Sequence, residues 1–95
     1  MFLERMTTVQ AEWAFAKDPL AIIPLGSTEQ HGPQCALGTD FLIPRNLAER
    51  VEAMDETKNV IVLPTVPFGV CDYHMSFPGT INIGFEGLYL LLSKI

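Results

Sequence analysis

Leu20-Ala21-Ile22-Ile23-Pro24-Leu25 and Val60-Ile61-Val62-Leu63 are two apolar runs, and the residues between them decide the fold. Both runs are continuously apolar and rich in branched side chains, the pattern of strands covered on both faces of a parallel sheet. From Asp40 to Met54 the period changes to helical. Ile43, Leu47, Val51 and Met54 form one apolar stripe, with Glu49, Arg50 and Glu52 on the wet side. Pro44 falls early enough in that helix for its missing N–H to be tolerated. Strand, helix, strand over roughly 45 residues is a βαβ unit, whose two strands pair in parallel through a right-handed crossover. The expected class is therefore α/β, a βαβ-type parallel sheet with flanking helices.

Between the first strand and the helix runs Gly26-Ser27-Thr28-Glu29-Gln30-His31-Gly32-Pro33, continued to Gly38-Thr39-Asp40. In open α/β sheets, sites collect at this carboxyl edge. Glu29 and His31 are two apart, so in extended chain their side chains lie on one side of the backbone. Gly32, Pro33 and Gly38 allow the loop to turn tightly, and Asp40 returns at the first turn of the helix, with Thr39 as its expected cap. A carboxylate, an imidazole and a second carboxylate make a mixed O/N donor set that suits Zn²⁺, Mn²⁺ or Fe²⁺. Spacing alone equally allows three solvated or capping groups.

Gly26-Ser27-Thr28-Glu29-Gln30-His31-Gly32-Pro33 with Leu37-Gly38-Thr39-Asp40 resembles the signature of the creatininase (creatinine amidohydrolase) family. The resemblance continues through Val62-Leu63-Pro64, Pro67-Phe68-Gly69, His74 and Phe77-Pro78-Gly79-Thr80, in the same order. It implies a metal-dependent amidohydrolase that cleaves a C–N bond of a cyclic amide or formamide with a water activated by two divalent metal ions. It implies Glu29 on one ion, His31 on the other and Asp40 bridging, with His74 and Gln30 facing substrate or supporting the ligands. A further His and Glu from beyond residue 95 would complete the two ions, so the isolated chain is expected to be inactive. The family often forms hexamers, and a homo-oligomer acting on a small amide is the implied assembly. The sequence departs from the family at Gln34-Cys35-Ala36, where a second histidine followed by Leu-Pro is common.

The rest of the chain fits one partial domain over residues 1–95, the beginning of a larger three-layer α/β domain. A short helix is expected over 7–17, capped by Thr7 or Thr8, with Trp13 packing on its apolar side; Asp18-Pro19 stops it. The strands are expected over 20–25 and 60–64, the metal loop over 26–40 and the main helix over 40–54. Residues 55–59 read as a solvated connection, 65–80 as a second loop, and 85–95 as a helix without a capping glycine. In a parallel arrangement the second loop opens beside the first, bringing Asp72, Tyr73, His74 and Ser76 toward Glu29 and His31. Ser27 and Thr28 lack a nucleophile elbow, and no phosphate-loop ending follows Gly26.

Composition narrows the class further. Ninety-five residues, 48% hydrophobic, carry a net charge of −5, and no Lys/Arg cluster exists to neutralise phosphates, which disfavours nucleic acid. No apolar run approaches the ~20 residues of a membrane span. Cys35 and Cys71 make no disulfide framework and are expected as small buried thiols; the cytoplasm is the default compartment. A reading from another class remains beside the enzyme: a non-catalytic module that assembles through its apolar faces.

Overall fold

The computed structural model describes residues 1–95. β1 (Leu20–Ile22) pairs in parallel with β2 (Val60–Val62), in register Leu20 with Val60 and Ile22 with Val62. Between them runs the long helix α2 (Thr39–Met54), and before and after come α1 (Thr8–Phe15) and α3 (Gly84–Lys94). Short 3₁₀ turns cover Leu3–Arg5 and Asp72–His74.

Each strand is shorter than the apolar run that contains it, and proline explains why. Pro24 and Pro64 follow the two strands and have no N–H to give the ladder. Pairing resumes past them as a single bridge, Leu25 with Val66, where the Val66 N–H donates to Pro24 O at 2.9 Å and Gly26 N–H to Val66 O at 3.0 Å. On its other side β2 meets the N-terminal residues: Phe2 bridges Val62, and Val62 N–H donates to Met1 O at 2.8 Å.

β2 is thus the centre of the molecule, and its three residues are all buried. β1 is not covered as expected: Leu20 is 63% exposed. The core gathers Ala48, Val60 and Val62, with Phe2 and Ile22 packed against it.

α2 departs from expectation in the face it buries. Its apolar stripe of Ile43, Leu47, Val51 and Met54 is exposed, and Ala48 is the helix's buried residue. A methyl side chain lets the helix axis come close to β2, and that close approach selects the buried side. Its start also differs. Gly38, not Thr39, occupies the cap position, and Thr39 Oγ1 instead donates to Ala36 O at 2.6 Å.

α1 begins as its sequence implies, with Thr7 and Gln10 forming a reciprocal capping box. Trp13, expected to pack, is 72% exposed, and Ala14 is buried in its place. Val9, Ala11, Trp13, Ala14 and Phe15 surround the axis, so no stripe marks an inner face.

The connection 55–59 is more than a solvated link. The Asp55 carboxylate accepts from the backbone N–H groups of Thr57, Asn59 and Val60 and from the Thr57 hydroxyl. These bonds, the Thr57 hydroxyl foremost, hold its pKa below the ordinary carboxylate value.

Candidate metal centre

The loop after β1 is held at both ends. Glu29 N–H donates to Leu37 O at 3.0 Å, which folds residues 29–37 back on themselves. Thr28 pairs with Ile81 in an isolated antiparallel bridge, and its hydroxyl donates to Pro67 O at 2.7 Å. Gln30 N–H donates to Thr80 Oγ1 at 3.2 Å. The two loops beyond the sheet's carboxyl edge are therefore stitched together by one main-chain bridge and two threonine hydroxyls, with Thr80 a partner that no spacing rule singles out.

Gly26 brings α2 to this loop. A Cβ at Gly26 would collide with the carbonyl of Asp40 and the nitrogen of Phe41, so only glycine lets the first turn of α2 lie against the end of β1. That approach delivers Asp40. One donor atom each from Glu29, His31 and Asp40 lies within 4.8 Å of the others, and all three residues are half-buried. His31 Nε2 and Asp40 Oδ1 stand 2.8 Å apart. No arginine occupies the cluster, since Arg45 is engaged by Glu4 and Glu49.

The electrostatics are those of a crowded acidic pair. Hydrogen bonding to Asp40 raises the Glu29 carboxyl above its ordinary value, with burial adding to the rise. The same bond lowers Asp40, helped by His31. The two carboxyls therefore shift in opposite directions, Glu29 toward its protonated form and Asp40 toward its charged one. A divalent cation among these groups would offset the charge of the crowded acidic pair.

The second loop contributes unevenly. His74 reaches the site through Gln30, whose Nε2 is 2.8 Å from His74 Nδ1. Tyr73 is exposed, and Asp72 is bonded to Asn82 rather than to the cluster. The Asn82 Oδ1 also accepts from the Cys71 and Gly84 N–H groups. Cys71 is buried as expected and its thiol donates to Ile81 O at 2.9 Å, whereas Cys35 is exposed. Burial first, and the neighbouring Glu29 second, push the Cys71 thiol up, so it remains protonated at neutral pH. Its nearness to Glu29, across 42 positions, left no mark in the sequence.

The fold and site define an α/β protein with an acid–imidazole–acid cluster at the carboxyl edge of a parallel sheet. The chain belongs to the creatininase (creatinine amidohydrolase) family, whose model matches residues 4–95. It is 40% identical over 77 residues to the mycofactocin precursor peptide peptidase of Mycolicibacterium smegmatis, with 78% of this chain and 31% of that protein covered. It is 32% identical over 87 residues to the 3-dehydro-scyllo-inosose hydrolase of Thermotoga maritima, with 90% and 27% covered. Among solved structures, a creatininase variant complexed with creatine superposes at a TM-score of 0.86 with 26% identity. A manganese form superposes at 0.85 and a variant described as Zn–Zn type at 0.84, each 25% identical. Each of the three superpositions covers 98% of this chain and 37% of the other. The family is enzymatic and hydrolytic, and this chain spans about a third of the length of the proteins it matches. No helix is long and apolar enough to cross a membrane.

Proposed function

We propose that Glu29, His31 and Asp40 are ligands of a divalent metal centre, and that the chain is the ligand-bearing N-terminal part of a hydrolase of amide C–N bonds. The observation that carries this reading is the convergence of one donor atom each from Glu29, His31 and Asp40 within 4.8 Å. Metal–ligand bonds of ~2.0–2.2 Å require donors about this close, after a small inward movement. If two ions were bound, Glu29, His31 and Asp40 would be the residues of this chain that hold them, with the Asp40 carboxylate offering two oxygens to share. Zn²⁺ or Mn²⁺ fits the donors, and the solved relatives in Zn–Zn and manganese forms support that choice. When bound, such ions lower the pKa of a water molecule and polarise a substrate carbonyl. Gln30 and His74 are proposed to face the amide substrate. The relative named a peptidase and the creatine-bound structure support an amide-type, small or peptide substrate.

Three residues are too few for two catalytic ions, each of which ordinarily takes three protein ligands. The 95-residue chain by itself therefore binds metal without appreciable turnover. Calorimetric titration with Zn²⁺ and Mn²⁺ tests the assignment. Saturable binding, abolished in Asp40→Ala and His31→Ala, is expected; equal heats from those variants and the unaltered chain would reject it.

A second reading is favoured by the exposed side chains of Ile43, Leu47, Val51 and Met54 on α2. On that reading the chain is an assembly module. Dimers in light scattering, together with no metal uptake, would establish it in place of the first.

A further inference from the structure

Gln30, the residue between Glu29 and His31, is tied down at every polar atom of its side chain. Its Oε1 accepts from Gly32 N–H at 3.0 Å, and its Nε2 lies 2.8 Å from His74 Nδ1. The Gly32 N–H can only donate, so the atom facing it must be the amide oxygen. That fixes the amide nitrogen toward His74. An amide NH₂ also only donates, so His74 Nδ1 must carry a lone pair, and the neutral ring holds its proton on Nε2. Gly32 makes this possible through its φ of 75°, a conformation that favours glycine and turns its N–H back under the Gln30 side chain. His74 is steadied independently by its own N–H to Cys71 O at 3.1 Å and by the edge of Phe77, 6.4 Å between ring centroids.

Within residues 1–95, the His74 ring is hydrogen-bonded through Nδ1 alone, leaving Nε2 free. Its ring is close enough to Glu29 and Asp40 for a charge on it to act on both carboxyls. We propose that Gln30 is a positioning residue that locks His74 as its Nε2–H tautomer, so that His74 presents one hydrogen-bond donor to the carbonyl oxygen of an amide substrate. The donor's target rests on the proposed amide-hydrolase reading; the tautomer does not. In this arrangement His74 binds and orients a carbonyl and takes no proton through Nε2.

The tautomer is read directly from long-range ¹H–¹⁵N correlation spectra of the metal-free 95-residue chain. The measurement is made near pH 8, above the ordinary histidine value of about 6.5. With only two histidines in the chain, His74→Asn assigns the signals. The unaltered chain should show a single tautomer at His74, with a pyrrole-type Nε2 and a pyridine-type Nδ1. Gln30→Glu keeps the acceptor for Gly32 but offers His74 a carboxylate, and should reverse the two nitrogens. Gln30→Leu should give the averaged signals of a free imidazole. An Nδ1–H ring or averaged tautomers in the unaltered chain would overturn the inference, as would folded variants indistinguishable from it. If neither variant folds, the spectrum of the unaltered chain decides alone. N-methylacetamide, added as the probe, should move His74 Nε2 in the unaltered chain and not in Gln30→Glu; no movement overturns the donor role. A correct tautomer without metal uptake in calorimetry would reject the metal assignment while leaving this one standing.

Discussion

Gly26→Ala tests whether the close approach of α2 to the end of β1 builds the cluster. The added methyl would stand against the Asp40 carbonyl and the Phe41 nitrogen, both backbone atoms that cannot rotate away. Non-bonded heavy atoms rest near 3.5–4.0 Å, so the first turn of α2 must retreat by roughly 1 Å. Overpacking of this kind costs about 1–3 kcal/mol. For a domain of this size that is a fall in melting temperature of roughly 4–20 °C. The displacement has a second effect, because Asp40 sits in the turn that moves. Its carboxylate is carried away from Glu29 and His31, whose loop is anchored separately through Thr28 and Leu37. Metal binding should therefore weaken at least tenfold although no ligand has been changed. Thermal unfolding by circular dichroism and calorimetric Zn²⁺ titration read the two effects. Unaltered melting and unaltered affinity together would refute the claim that this contact sets the geometry.

Ala48→Leu should force α2 off β2 and cost about 1–3 kcal/mol in urea unfolding, because Ala48 is only 4% exposed against Val60 and Val62. Asp55→Asn should lower stability and loosen the start of β2, seen as faster amide exchange at Asn59 and Val60; the lowered Asp55 pKa means its contribution is present above 3.8 and lost as pH falls through the folded value. Glu29 has the opposite sign: its raised carboxyl contributes most below its ordinary 4.5, and that contribution is lost as pH rises through the folded value. Melting temperatures of the metal-free chain minus those of Glu29→Gln should therefore fall with rising pH across that window, and added Zn²⁺ should restore the difference at neutral pH.

The strand–helix–strand order was legible because each element carries its own period. Leu20–Ile22 and Val60–Val62 are unbroken apolar runs, and Ile43, Leu47 and Val51 repeat at helical steps. What periodicity could not tell is which side of a helix is used. α2 presents its large residues outward because the sheet is met through Ala48, and a small residue carries no signal in a count of large apolar ones. Trp13 misled for a related reason, since bulk alone does not say that anything lies opposite. In the site, Glu29, His31 and Asp40 are near in sequence, and a short loop brings near things together. Gln30 to His74 spans 44 positions and Glu29 to Cys71 spans 42, contacts that exist only once β2 has returned the chain to the same edge. Asp55 was read as a solvated charge because its partners are backbone amides, which every sequence has.

The three donor groups all belong to the stretch that leaves β1 and enters α2. A cation held among them would staple the exit of a strand to the entrance of a helix, closing a ring of about a dozen residues. Ring-closure entropy depends only weakly on loop length, and so short a ring gains little from it. The gain would come instead as stiffness at one joint: loading with metal should quieten the motion of residues 29–40 while leaving the exposed outer side of α2 as mobile as before.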